Sequence, residues 1–334
     1  MAYTTIDDPT LFFRVKAYSG TGSAASITFD ITDTSMQPDL VWIKNRSTSG
    51  NHGMWDSVRG ATKQIYPNQT YGESTAANSM TAFNSNGFSV GSDGDQNGSG
   101  NSLVAWCWKE STTAGFDIVT YAGDAVAGRN ISHSLGAKPH WMIVKNRSAG
   151  VKFAVYHEKN TSAPGTDHLK LNSSDATSDD DSTWDDTEPT SSVFRTKSST
   201  ATNGSSANYV AYLWTPIQGY SKFTSYTGNG SSDGIFVYLG FRPAFFMIKR
   251  TDSADGWLMG DEKRIGYNNG NYWVEADVDS NEDGGTADRV DILSNGLKMY
   301  NSWTKINASG GTYIVMAFAD SPFVNSNGVP CNAR

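Results

Sequence analysis

The chain has 334 residues, a net charge of −8, 37% hydrophobic residues and only 18% charged ones. That balance excludes charge-driven disorder, and it argues against nucleic acid as a partner, because phosphate binding needs clustered Lys and Arg. No apolar run approaches the roughly 18 residues of a membrane-spanning helix, and MAYTTIDDPTLFF has no basic stretch followed by an apolar one, so neither membrane insertion nor a signal peptide is expected.

Taken in order, the first elements are Tyr18-Ser19-Gly20, then PDLVWIKNRS (Pro38 to Ser47), then Trp55-Asp56, then Asn86-Gly87-Phe88, then the apolar run LVAWCW, Leu103 to Trp108. The same series begins again at Tyr121-Ala122-Gly123 and runs through PHWMIVKNRS (Pro139 to Ser148), Tyr156-His157 and Ser192-Val193-Phe194 to YVAYLW, Tyr209 to Trp214. It occurs a third time as Tyr226-Thr227-Gly228, PAFFMIKRTD (Pro243 to Asp252), Gly260-Asp261, Asn295-Gly296-Leu297 and YIVMAF, Tyr313 to Phe318. The spacing of about a hundred residues is too long for one supersecondary unit of a solenoid and matches a whole sandwich domain.

The apolar runs are short and rich in Val, Ile, Tyr, Phe and Trp, which predicts strands. Turn clusters such as GTGS, NSNG, GSDGDQNGSG, GNGSSDG and YNNGN separate them. No dozen-residue stretch has helical periodicity, although a short helix fits Asp56 to Thr62. The fold class read from this is all-β, with three repeated β domains over 1–110, 111–217 and 218–334, the last including the C-terminal tail. Each repeat is expected to have its own core, and the short linkers KESTTAGF and TPIQGYSKF bring neighbours into touch. Cys107 and Cys331 give no disulfide framework.

In each closing run both strand faces are apolar: Leu103, Ala105 and Cys107 alternate with Val104, Trp106 and Trp108. One cover is the opposite sheet; the other is a loop or a neighbouring repeat. The lysines of the second element, Lys44, Lys145 and Lys249, read as snorkelling side chains with the ammonium in water.

Three kinds of site have candidate residues in this sequence. Asp93, Asp95 and Asn97 open a D-x-D-x-N-G calcium pattern whose twelfth position is Val104 instead of Glu, and Asp279, Asn281 and Asp283 form a similar run ending at Val290. Ca2+ in a non-EF geometry competes there with plain polar turns, and no other cofactor is indicated. A glycan-cleaving enzyme needs two carboxylates across a cleft, but Asp56 is matched by His157 and Asp261, and the acidic run Asp179 to Asp181 with Asp185, Asp186 and Glu188 occurs in one repeat only. No zinc spacing and no nucleophile elbow is present, so no enzyme is expected. Sugar binding would use Trp55, Asp56 and Arg59, their counterparts Tyr156 and His157 with Asn160, and Asp261 with Arg264; the competing reading is a buried ring and an internal Asp–Arg tether.

The stretches MAYTTIDDP, QPDLVWIKNRS, WDSVRGATK, YSKFTSYTGNG, GFRPAFFMIKRTDS, LSNGLKM and ASGGTYIVMAFADSPF resemble a family of bacteriophage virion proteins, over essentially the whole chain. The resemblance implies tandem β-sandwich domains of a jelly-roll or lectin-like kind and a non-enzymatic structural protein of the particle, made in the host cytoplasm. It implies other virion proteins as partners and a homo-oligomer. The leading expectation is a tail-fibre-type adhesin contacting host surface glycan, the alternative a capsid or tail decoration protein. The first repeat starts almost at residue 1, with no anchoring domain ahead of it, which shifts weight toward decoration.

Overall fold

The computed structural model describes residues 3–31, 33–265, 268, 272–284 and 289–331. Strands dominate it, all paired antiparallel, and the described helices are single turns. Most of YNNGN and the last three residues of the tail lie outside the described residues.

Three large sheets carry the architecture, and each has the same strand order. An opening strand (Phe13–Ser19, Phe116–Ala122, Ser221–Thr227) lies beside a closing strand (Ser102–Trp108, Asn208–Trp214, Thr312–Pro322). Next comes a lysine strand (Leu40–Asn45, Trp141–Asn146, Phe241–Arg250), then a hairpin strand (Gly53–Asp56, Ala154–His157, Trp257–Asp261). The third sheet gains Val274–Glu275 at its edge. The closing strand is therefore central, as its two apolar faces require. Over each large sheet sits a smaller one: Ala25–Thr28 with Gly87–Val90 and Met80–Asn84, Arg129–Ser132 with Val193–Thr196, and Asp233–Tyr238 with Gly296–Tyr300 and Val290–Leu293.

Strand alternation sends side chains into two kinds of core. Leu103, Ala105 and Cys107 pack outward with Ile27, Phe88 and Trp55 under the first small sheet. Tyr209, Ala211 and Leu213 do the same with Phe194 and Trp184, and Tyr313, Val315 and Ala317 with Val237 and Leu297. The other faces do not form three interiors. Val104, Trp106 and Trp108, Val210, Tyr212 and Trp214, and Ile314, Met316 and Phe318 belong to one continuous cluster shared by all three large sheets. Trp108 lies 6.2 Å from Trp214 and 5.7 Å from Phe318, centroid to centroid, so equivalent residues of the three segments meet. Each repeat keeps an outer core of its own under its small sheet, and the expectation is corrected on the inner face only: the second cover of each closing strand is the neighbouring segments.

Loops are tied down by repeated devices. The side-chain oxygens of the fully buried Asn97, Asn203 and Asn307 accept from the backbone N–H of Thr21, Asp124 and Asn229. Tyr18, Tyr121 and Tyr226 donate to the carbonyls of Gln96, Thr202 and Ile306 at 2.7, 2.6 and 2.7 Å. NSNG closes a tight hairpin in which Gly87 has φ +132, and a Cβ there would meet Ile27 O at 2.0 Å. Two local expectations differ from the structure. Asp56 to Thr62 is not helical but a strand end and turns, with Gly60 N bonded to Asp56 O. GSDGDQNGSG holds a helical turn, Gly94–Asn97, because Asp93 caps its first amides.

Candidate functional site

The residues read as sugar-binding lie at or near the ends of the hairpin strands, and the fold places Asp56, Arg59, His157, Asp261 and Arg264 in the seams between segments. Trp55, Asp56, Tyr156 and Asp261 are fully buried, and His157 and Arg264 nearly so. The Arg59 side chain is fully enclosed as well. Trp55 and Tyr156 point into the outer cores. None of them presents a ring to solvent; the competing reading, a buried ring and an internal Asp–Arg tether, describes Trp55, Tyr156 and the Asp56–Arg59 and Asp261–Arg264 pairs.

Between the first and second segments, Tyr212 Oη donates to Asp56 Oδ2 at 2.6 Å, and Arg59 bonds the same carboxylate, Tyr212 Oη and Glu73 Oε2. Arg147 of the second segment grips Glu73 from across the seam at 2.8 and 3.0 Å. Between the third and first segments the pattern recurs with a different ring: Trp106 Nε1 donates to Asp261 Oδ2 at 3.0 Å. Arg264 bonds Asp261 and Glu282, and Arg46 of the first segment reaches Glu282 at 2.7 Å. Burial opposes charge on Arg59 and Arg264, but Tyr212 with Asp56 and Glu73 on the first, and Asp261 with Glu282 on the second, outweigh it and raise both pKa values. Burial likewise works against the Glu73 carboxylate, yet Arg147 and Arg59 hold it below its ordinary range.

The seam between the second and third segments is the neutral version. His157 replaces the aspartate, Asn160 the arginine and Thr177 the glutamate, and Thr251 stands where Arg46 and Arg147 do. Thr177 Oγ1 donates to Asn160 at 2.7 Å, and Thr177 N bonds Thr251 O, as Glu73 N bonds Arg147 O and Glu282 N bonds Arg46 O. Burial pushes His157 down to about 3, so the ring is uncharged at pH 7.

The three lysines belong to the same seams. Lys44, Lys145 and Lys249 are fully buried, which corrects the snorkelling expectation. Each ammonium binds one carbonyl of its own segment and one of a neighbour: Gly50 O and Asp279 O for Lys44, Val151 O and Thr70 O for Lys145, Arg250 O and Ser174 O for Lys249. First to third, second to first and third to second, these contacts close a ring. Burial pushes the pKa of Lys44 and Lys249 down to about 8 and that of Lys145 to about 7.

The described residues of the calcium patterns bond mainly to their own chain. Asp93 accepts the amides of Asp95 and Gln96 and the Ser79 hydroxyl, Asp95 accepts Asn51 N, and Asn97 donates to Thr21, Ser23 and Gly91. Asp279 contributes its backbone carbonyl to Lys44, Asp283 bridges to Trp273, and Asn281 is exposed. Among the described residues no three His, Cys, Asp or Glu side chains gather as a metal-binding group. One carboxyl pair escaped the sequence reading: Glu110, pushed up to about 7 by burial and by its hydrogen bond to Asp117. Two directly bonded carboxyls are too close for the roughly 5–10 Å separation that glycoside cleavage uses.

These features define an all-β protein whose repeated polar residues are spent on holding its own segments together. The chain belongs to the DUF7483 family, a domain of unknown function, whose model matches residues 8–322. No curated protein matches the chain.

Proposed function

We propose that this protein is a non-enzymatic structural component on the exterior of a bacteriophage particle. In this reading it is built from three lectin-like β-sandwich units, 1–110, 111–217 and 218–334, that act as one rigid block. The resemblance of the repeated motifs to phage virion proteins supports the setting. The observation that carries the rigid-block reading is the common core in which Trp108 meets Trp214 and Phe318. The aspartates considered for chemistry support a non-catalytic role, since Asp56 and Asp261 are each locked to an arginine and a ring donor. Three related outer surfaces around a shared core suit repeated contacts with other virion proteins or further copies of the chain. The test is mass spectrometry and imaging of gradient-purified particles. Outward density with threefold pseudosymmetry, at a fixed copy number, is expected; particles that lack the chain refute the reading.

A second reading, contact with host glycan, is favoured by one surface. Phe236 and Tyr238 stand side by side on the third small sheet, 42% and 50% exposed. A glycan array probed with the whole chain tests it, retention of at least one glycan class being expected.

A further inference from the structure

The third segment holds an open cleft of about 400 Å3 where its small sheet meets the stretch leading into its opening strand and the chain's first described residues. That volume lies within the range of small-molecule sites. Tyr3, Pro216, Gln218, Lys222, Tyr238 and Leu239 supply its chemistry. Tyr3 Oη donates to Gly240 O at 2.7 Å, and a Cβ on Gly240 would lie 2.7 Å from Tyr3 Oη and 3.5 Å from Tyr238 Oη. Both phenols thus converge over a glycine whose φ of +83 a side chain would resist. Lys222 Nζ donates to Tyr238 O at 2.8 Å and stands 5.0 Å from the Tyr238 ring centre. An ammonium has three donors, so this bond leaves two for a ligand.

The charge environment is selective. None of the residues described as lining the cleft is acidic, on a chain of net charge −8. The other segments do not repeat the set. At the strand position of Tyr238 they have Thr28 and Ser132, and at that of Lys222 they have Arg14 and Asp117. Arg14 is nearly buried and committed to the carbonyls of Thr10, Ile31 and Thr34. The third segment thus combines a half-exposed ring, apolar Pro216 and Leu239, two phenols, an amide and an uncontested cation. A ring suits the C–H face of a sugar, phenols and amide suit its hydroxyls, and the ammonium suits an anionic group.

The geometry points to this cleft as a binding site for an acidic saccharide, seated with its ring against Tyr238 and its carboxylate at Lys222. The inference rests on the glycan-contact reading and names the ligand class and the residues.

The experiment titrates the full chain, by calorimetry at low salt, with trigalacturonate and with its carboxyl-reduced counterpart, galactotriose. Trigalacturonate is expected to bind more tightly by about three- to fivefold, the size of an exposed ion pair, and this preference shrinks as salt is added. Tyr238→Ala removes binding of both sugars. Lys222→Met brings trigalacturonate down to the level of galactotriose while the thermal midpoint stays put. No binding of trigalacturonate, unchanged binding by Tyr238→Ala, or a preference that survives Lys222→Met overturns the assignment. A glycan array that stays positive with the Tyr238→Ala chain sinks the cleft but leaves glycan contact standing; a blank array with the native chain sinks both.

Discussion

Lys145 is a fully buried amine in a seam, held by Thr70 O and Val151 O. Its folded-state pKa is pushed by burial from 10.5 down to about 7. Between those values the unfolded chain binds the extra proton, so this group makes the native state gain stability as pH rises from about 7 toward 10.5, and its penalty is fully present below 7. Lys145→Met removes the charge at similar volume. In urea titrations the stability of the native chain relative to this variant is therefore expected to increase from pH 7 to pH 10; a flat difference would show that burial does not shift the pKa of this lysine. The sequence displayed the lysines at matching places in three repeats, but not their environment. A lysine stem along apolar surface reads the same whether its head reaches water or the carbonyl of another segment.

At the level of elements, the hairpin-strand ends and the closing strands form one device written in two chemistries. Asp56, Arg59, Glu73, Arg147 and Tyr212 make the charged version; His157, Asn160, Thr177, Thr251 and Met316 occupy the same places in the neutral one. Asp56→Ala leaves the enclosed Arg59 beside Glu73 alone and is expected to cost about 3–5 kcal/mol, the usual penalty for breaking a buried pair. Rewriting the whole seam as the neutral one, with Asp56→His, Arg59→Asn, Glu73→Thr, Arg147→Thr and Tyr212→Met, is expected to cost less than that single change, because no buried charge is left unpaired. Urea denaturation of both variants measures this, and a rewritten seam that costs more than Asp56→Ala would count against equivalence. The joint change from Asp56 and Arg59 to His157 and Asn160 was legible in the sequence. Its cause was not, since the partners Tyr212 and Trp106 stand 156 and 155 positions off in the chain.

For the whole molecule, the shared core makes the segments interdependent. Cut out alone, residues 111–217 would expose Phe116, Ile118, Trp141, Ile143, Val210, Tyr212 and Trp214 to water. At roughly 1.5–3 kcal/mol for each large apolar side chain, the loss is comparable to the total stability of a domain, about 5–15 kcal/mol. The excised segment is expected to show collapsed, poorly dispersed amide resonances, while the full chain unfolds in one cooperative urea transition. A well-dispersed spectrum from the fragment would mean that its outer core of Tyr156, Trp184, Phe194 and Leu213 suffices.

The order of residues along the chain was enough to determine the apolar strands, the two-sided cover of the closing ones, and the threefold recurrence. These follow from side-chain alternation and turn chemistry, which act between near neighbours. Only the tertiary structure decided that the three inner faces close on one another, and so turned Asp56, Arg59, Asp261 and Arg264 into seam residues and left Tyr238 half-exposed beside Lys222. The physical reason is that an apolar face records that it must be covered, not by what. A row of independent sandwiches and a closed ring of three satisfy the same pattern of hydrophobic residues until distant segments are brought together.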